Sequence, residues 1–409
     1  MVNVAIMGHG TVGSGVAELI INQNKRIEKG IGCEIGVKYI LDLRKFSGLS
    51  YSDRFIDDFN IILNDEDIDI VVETMGGLHP AYDFVKECLL SGKSVVTSNK
   101  ELVAAKGAEL IRIAKDKNAN FLFEASVGGG IPVIEPLINC LNANEISEIK
   151  GILNGTTNFI LNKMITENMD FSDALRLAQE KGYAEKDPTA DIEGHDTCRK
   201  ICILATLAFG KHIYPDFVKC EGIRSITLSD IDYASTLGYV IKLIGRAKKN
   251  DDGSVSVSVG PMLIPKDHLL ANVNGVFNAV SVIGDAVGEV VFYGQGAGKM
   301  PTASAVVADV MDCAKHLKTR KYLSWEDGSP DHVKTDKQEK SDFYIYLKTS
   351  DYDKTLAQIK AAFPKSGLVL GNSAAGEIAF MANGHLEDDV REKIDKVFAD
   401  SKKILNALF

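Results

Sequence analysis

Gly8, Gly10 and Gly13 set out a GxGxxG directly after the apolar run Val2–Met7 and directly before a helical stripe of Val12, Val16, Leu19 and Ile20. This spacing constrains the fold strongly, because it demands a strand, a tight turn and a helix in that order. The first glycine permits the turn, the second lets a pyrophosphate approach the backbone, and the third lets helix and strand pack closely. Thr11 and Val12 lie between them at the helix start, among the residues expected to face a dinucleotide. A plain glycine turn is the competing reading, and the strand before and helix after argue against it. The second strand, Ile35–Leu41, ends at Asp42, whose carboxylate would accept hydrogen bonds from a ribose 2′-hydroxyl and so favour NAD. Arg44 and Lys45 follow at once and would instead grip the 2′-phosphate of NADP. The two signals compete, and both cofactors stay open.

Apolar runs and amphipathic stretches alternate as far as about residue 125, with strands at 68–72, 94–97 and 120–123 and helices at 82–90 and 102–115 between them. That alternation predicts a mostly parallel, doubly wound sheet. From residue 140 the pattern changes to a strand at 146–153, helices at 158–166, 172–181 and 196–209, and then a valine-rich antiparallel stretch. There Val255, Val257 and Val259 alternate with serines, and 276–292 follows with glycine punctuation. Residues 319–341 are polar and turn-rich, carry the only tryptophan, and read as a linker. The order after them is strand 343–348, helix 356–363, strands 367–370 and 377–381, helix 386–398 and strand 403–408, a βαββαβ module of ferredoxin-like type. The fold class is therefore α/β: a Rossmann-type parallel sheet, an α+β second domain and a small βαββαβ domain.

The 409 residues carry a formal net charge of -10 and contain no long basic run, which argues against a nucleic-acid partner. No apolar run approaches the roughly 18 residues of a membrane span. The N-terminus has no basic region and leads straight into a strand, so no signal peptide is expected. Seven scattered cysteines read as reduced thiols of a cytoplasmic protein. Cys198 and Cys202 stand one helical turn apart, but no second pair or nearby histidine completes a four-ligand metal site. His9, inside the glycine loop, and His195, beside Asp196, read as incidental rather than as acids or bases. No catalytic triad or metalloprotease motif is legible.

Two stretches carry candidate chemistry. Thr97, Ser98, Asn99 and Lys100 follow a strand at the C-terminal edge, where open α/β sheets bind ligands. Lys100 is a site candidate there, or else a charge at a helix start. Residues 178–200 hold Glu185, Asp187, Asp191, Glu193 and Asp196 around a proline and two glycines, and Asp196 and Lys200 are four apart on one helix face. A surface ion pair worth a few tenths of a kcal/mol is the bland reading. The other is a proton relay, with the lysine exchanging the proton and the aspartate fixing its position.

With these residues in view the chain resembles homoserine dehydrogenases. The signature around that family's catalytic lysine is present as Ala178, Gly182, Asp187, Pro188, Asp191, Gly194, Asp196 and Lys200. So are a Gly-x-x-Asn-Gly-Thr segment ending at Gly155 and Thr156, a Glu-Ala-x-Val-Gly-Gly-Gly-Ile-Pro turn from Glu124 to Pro132, and the Ser-Asn-Lys at 98–100. The resemblance covers residues 1 to about 320. An aspartate or sugar dehydrogenase of similar layout would lack the 187–200 signature, and a non-catalytic sensor would have lost the lysines.

The resemblance implies reversible reduction of L-aspartate 4-semialdehyde to L-homoserine, on the route to threonine, methionine and isoleucine. Lys200 then passes the proton, Lys100 polarises the same oxygen, and Asp196 supports Lys200. Glu185 and Asp191 hold the amino-acid end and the hydroxyl, and the backbone of Gly155 and Thr156 offers donors. Gly296 and Gly298 belong to a loop over the nicotinamide end. Carbonyls of Glu124, Val127, Gly129 and Ile131 match positions that hold a monovalent cation, sodium or potassium, for which hard oxygen donors are suited. The implied division is a nucleotide-binding domain at 1–135, a substrate and dimerisation domain at 136–300, a returning helix at 301–319, a linker at 320–341 and an ACT-like domain at 342–409. A homodimer or homotetramer is expected. The tail departs from the ACT pattern: Asp351, Tyr352, Asp353, Lys354, Thr355 and Leu356 replace the usual Asp-x-Pro-Gly-x-Leu turn. Feedback by an amino acid such as threonine and a purely dimerising role both remain open for it.

Overall fold

The computed structural model describes residues 1–317, 319–321, 323–334, 340–364, 366 and 369–407. Residue 318 of the expected returning helix 301–319, residues 322 and 335–339 of the expected linker, and parts of the strands expected at 367–370 and 403–408 lie outside the described residues. Two compact units emerge. The first comprises Met1–Ile149, Arg199–Phe217 and Asn278–His332; the second comprises Lys150–Cys198, Val218–Phe277 and Val333–Phe409.

In the first unit β1 (Val2–Met7), β2 (Ile35–Leu41), β3 (Phe55–Ile56), β4 (Ile70–Glu73), β5 (Ser94–Thr97) and β6 (Phe121–Leu122) form one parallel sheet in the order β3-β2-β1-β4-β5-β6. The order reverses between β1 and β4, which opens a crevice at their C-terminal ends. Val4, Ala5, Ile6 and Met7 are all fully buried, as expected of a central strand covered on both faces. Val16 and Ile20 of helix α1 (Thr11–Asn22) share one core with Val4, Ile6, Val37 and Val72. The helix Lys299–Lys315 joins this core through Ala303, Val306 and Val310. Each such valine or isoleucine contributes about 1.5–3 kcal/mol on burial. Two helices span the stretch between β1 and β2, because Gln23 leaves helical geometry (φ -107°, ψ 12°) and helix α2 (Asn24–Ile31) starts afresh. Trp325, in the polar stretch read as a linker, is buried: its indole N–H donates to Nδ1 of His212 at 2.9 Å, and its ring lies against Gly107.

In the second unit the strands Tyr239–Lys249 and Val255–Pro265 pair antiparallel over their whole length. The serines between the valines do not make a wet face. Ser254 and Ser256 are buried, and the amide of Asn250 donates to both at 2.9 and 3.1 Å. The tail runs as strand Ser341–Lys348, helix Tyr352–Ala362, strands Leu370–Asn372 and Glu377–His385, helix Glu387–Asp395 and strand Ser401–Ala407. Its antiparallel sheet has the spatial order fourth, first, third, second, around a core of Phe343, Ile345, Leu347, Ile359, Phe363 and Phe380. Asp351 caps the first tail helix, accepting from the Lys354 N–H at 3.2 Å, so a capped helix start stands where Pro-Gly is missing. The strand Ser401–Ala407 also pairs in parallel with Val255–Pro265, Met262 opposite Asn406 and Leu263 opposite Ala407.

Candidate active site

At the end of β1 the chain turns through Gly8 at φ +95°. A Cβ on Gly13 would lie 1.9 Å from the Gly8 carbonyl oxygen, so only glycine allows this approach of helix to strand. A Cβ on Gly10, by contrast, would meet no protein atom within 4 Å. Helix α1 begins at exposed Thr11 and half-buried Val12 with no side-chain cap and no acidic residue in its first turn. Its leading N–H groups and dipole therefore suit a phosphate, and the loop fits a dinucleotide.

Asp42 stands one residue beyond β2. Its carboxylate accepts from the backbone of His9 at 2.8 Å, from the backbone of Arg44 at 2.9 Å, and from the Arg44 guanidinium at 2.9 and 2.8 Å. The guanidinium holds this carboxyl well below the usual carboxylate range, helped by the two backbone donors and opposed by partial burial. The two competing signals of the sequence are thus bonded to each other. Arg44 is 63% exposed at its side chain. His9 is buried edge-on among Phe46, Tyr51 and Phe55, which accounts for it as a packing residue of the loop.

At the ends of β4 and β5 lies a network whose central residue the sequence reading missed. Glu73, with no exposed surface, accepts from the backbone of Met75 at 2.7 Å and of Gly76 at 3.2 Å, and its other oxygen lies 2.5 Å from Oγ1 of Thr97. Thr97 Oγ1 accepts from the Asn99 N–H at 2.9 Å, and the Asn99 amide donates to the Gly77 carbonyl at 2.6 Å. Asn99 also caps the helix Lys100–Asp116, so Lys100 is its first residue and is half-buried. The neighbouring Glu101 pairs at 3.3 Å with Arg199, which precedes Lys200. Lys200 itself is only 8% exposed on the helix His195–Phe209.

In the second unit Asn154 caps the helix Gly155–Glu167, accepting from the Thr157 N–H at 2.8 Å. Its amide nitrogen donates to Asp191 at 2.7 Å and to Asp196 at 2.8 Å. Two aspartates of the signature are so brought to one helix start. Thr156 Oγ1 donates to the Tyr183 carbonyl at 2.6 Å, and Gly155 lies so close to Val276 that a Cβ would be 2.7 Å from its carbonyl oxygen. Glu185 is exposed, and its carbonyl accepts from Gln179 at 3.1 Å.

The turn proposed for a cation is buried at Glu124, Val127, Gly129 and Ile131. The Glu124 carboxylate is turned away to the backbone N–H groups of Val133, Ile134 and Glu135 at 2.7, 2.9 and 2.6 Å, which leaves carbonyl oxygens as the donor set of the turn. Among the described residues there is no cluster of three or more His, Cys, Asp or Glu able to hold a metal ion. Carbonyl oxygens are hard donors and suit a hard cation. Gly130 donates to the Gln295 carbonyl at 3.1 Å, which sets this turn against the loop of Gly296 and Gly298. Fully buried Asn278 lies against Gly296, and neither atom of its amide bonds to another protein group.

A parallel sheet whose strand order reverses, an uncapped glycine-led helix and Lys100 at the C-terminal edge of the sheet define a nicotinamide-dinucleotide-dependent oxidoreductase. Residues 8–124 match the family model "Homoserine dehydrogenase, NAD binding domain" and residues 132–311 match "Homoserine dehydrogenase". The chain belongs to the homoserine dehydrogenase family and has its oxidoreductase function. It is 45% identical over 315 residues to the homoserine dehydrogenase of Synechocystis sp., covering 76% of this chain and 73% of that one. The crystal structure of a homoserine dehydrogenase from Thiobacillus denitrificans matches with a TM-score of 0.92 at 36% identity, over 100% of this chain and 98% of that one. A hyperthermophilic archaeal homoserine dehydrogenase in complex with NADPH matches with a TM-score of 0.65 at 29% identity, over 76% of this chain and 97% of that one.

Proposed function

We propose that Lys200 exchanges the proton with the substrate oxygen as L-aspartate 4-semialdehyde and L-homoserine interconvert, and that Lys100 polarises that oxygen. A bound nicotinamide dinucleotide supplies the hydride in one direction and accepts it in the other. Asp191 and Glu185 take the amino-acid end and the hydroxyl, Asp196 orients Lys200, and Gly155 and Thr156 offer donors. The observation that carries this reading is the Asn154 amide, which ties Asp191 and Asp196 to the helix start at Gly155. General acid-base catalysis contributes about 10²–10⁴ in rate, and positioning supplies much of the rest. The cofactor is NAD or NADP: Asp42 would accept from a 2′-hydroxyl, whereas the exposed Arg44 guanidinium would meet a 2′-phosphate.

The carbonyls of Glu124, Val127, Gly129 and Ile131 would hold a sodium or potassium ion, which would brace this turn. The chain works as a homodimer or homotetramer in the cytoplasm; no helix among the described residues is long and apolar enough to cross a membrane. Residues 342–409 form an ACT-like domain, for which threonine is the effector to try first and dimerisation is the second reading. The domain division at 135, 300, 319 and 341 belongs to the same proposal.

The test is the absorbance of the reduced nicotinamide, followed with homoserine and NAD and then with NADP. Lys200→Ala is expected to lose at least about 10²-fold in kcat while cofactor affinity, read by direct titration, stays near wild type. Substantial residual turnover of homoserine would remove Lys200 from the mechanism. Inhibition of the intact chain by threonine would favour the effector reading of the tail over dimerisation alone.

A further inference from the structure

The carboxylate of Glu73 has no place in the scheme above, yet it is the hub of the C-terminal edge of the sheet. It is fully buried on β4 and gathers three segments. Its own loop folds back on it through Met75 and Gly76. Thr97 at the end of β5 bonds to it, and through Thr97 and Asn99 the start of the Lys100–Asp116 helix is held. The adjoining Thr74 donates to the Gly8 carbonyl at 2.9 Å, which joins the same loop to the glycine turn. A buried carboxyl is costly unless its oxygens are bonded, and a hydrophobic residue at the end of a core strand would avoid that cost. Packing alone therefore does not call for it.

We infer that Glu73 is a positioning residue of the reaction: it fixes the start of the Lys100 helix against the glycine turn, so that Lys100 meets the reacting oxygen in register with the cofactor. The inference rests on the reading of Lys100 as a residue that touches that oxygen. Displacement of a reacting group by about 1 Å costs on the order of 10²-fold in rate, so a residue that holds the helix start acts on kcat more than on binding. Burial pushes the Glu73 carboxyl upward, while Thr97 and the backbone donors of Met75 and Gly76 pull it down.

The test is a double-mutant cycle on the full chain. Glu73→Ala is expected to lower kcat by about 10- to 100-fold with the reduced-cofactor dissociation constant changed less than about threefold. Glu73→Gln, which keeps an acceptor for Met75 and Gly76 and places an amide toward Thr97, is expected to recover at least about tenfold of that loss. In a Lys100→Ala background Glu73→Ala should cost less than about twofold more, because the lysine it positions is gone. Should Glu73→Ala fail to fold, Thr97→Val breaks the same link by removing one hydroxyl and replaces it in the cycle. Losses that multiply in the cycle, or a folded Glu73→Ala with kcat within about twofold of wild type, would overturn the inference. Full activity of Lys100→Ala would overturn the reading of Lys100 itself, and the inference with it.

Discussion

Asn154 uses both ends of its amide, the oxygen as a helix cap and the nitrogen as a bridge between two carboxylates. The cap alone is worth about 1 kcal/mol. The bridge matters more for chemistry, because it holds Asp191 and Asp196 close to one another against their mutual repulsion. Asn154→Ala is therefore expected to lower kcat/KM for homoserine by about tenfold or more while cofactor affinity is unchanged, since a lost hydrogen bond to a charged group costs about 1.5–3 kcal/mol. Steady-state kinetics beside cofactor titration would show it, and equal losses in both would refute it. Asn154 lies within the Gly-x-x-Asn-Gly-Thr segment legible in the sequence. Its partners lie 37 and 42 residues away, and no local pattern connects them. Glu73 was missed for a related reason: a carboxylate at the end of an apolar run looks like the residue where a strand meets water, and only the folded sheet shows it without exposed surface.

Among the elements, periodicity located the helices but not their first turns. Helices expected from 102, 158 and 301 begin at Lys100, Gly155 and Lys299. First turns are chosen for capping and bear few apolar residues, so an apolar stripe starts late. The strand Tyr239–Lys249 went unread altogether, and Lys242 is the reason. A lysine in mid-run breaks the apolar signal, yet this one is 1% exposed, donating to the Val273 carbonyl at 2.7 Å and to Asn158 at 3.1 Å. Burial lowers its pKa from 10.5 to about 8. Below about pH 8 the native state carries a buried ammonium at a cost, whereas between about 8 and 10.5 the unfolded chain binds the proton and the native state does not. By linkage, this residue's contribution to stability rises with pH across that window. Relative to Lys242→Met, the wild type should gain stability between pH 8 and 10.5 in denaturant titrations. A stability difference independent of pH there would show that the lysine is not desolvated.

For the molecule as a whole, the order of elements was readable and the attachment between them was not. The tail appears in sequence as a module beyond a polar stretch, and its βαββαβ order is present. What the sequence hides is attachment: the parallel pairing of Met262 with Asn406 and Leu263 with Ala407, and the ion pairs of Lys219 with Glu387 and of Lys403 with fully buried Asp230. Pairings of residues so far apart leave no local trace. A chain ended near residue 340 would leave part of the strand Val255–Pro265 as an open edge and Asp230 without its lysine. Such a chain is expected to melt lower and to aggregate at concentrations where the full chain stays monodisperse, as light scattering would reveal. Equal solubility and melting temperature would show the tail to be dispensable for the second unit. Effector tests are better made by point changes within the tail than by cutting it away.

That same parallel pairing bears on how the protein is made. Val255–Pro265 leaves the ribosome long before Ser401–Ala407, and at about 5–20 residues per second the wait is many seconds. Through that interval the end of this strand at Met262 and Leu263 lacks a neighbour that its sheet requires. Contacts this distant in sequence also form slowly once the chain is free. The second unit thus reaches its final form only after nearly all of this sequence has been synthesised.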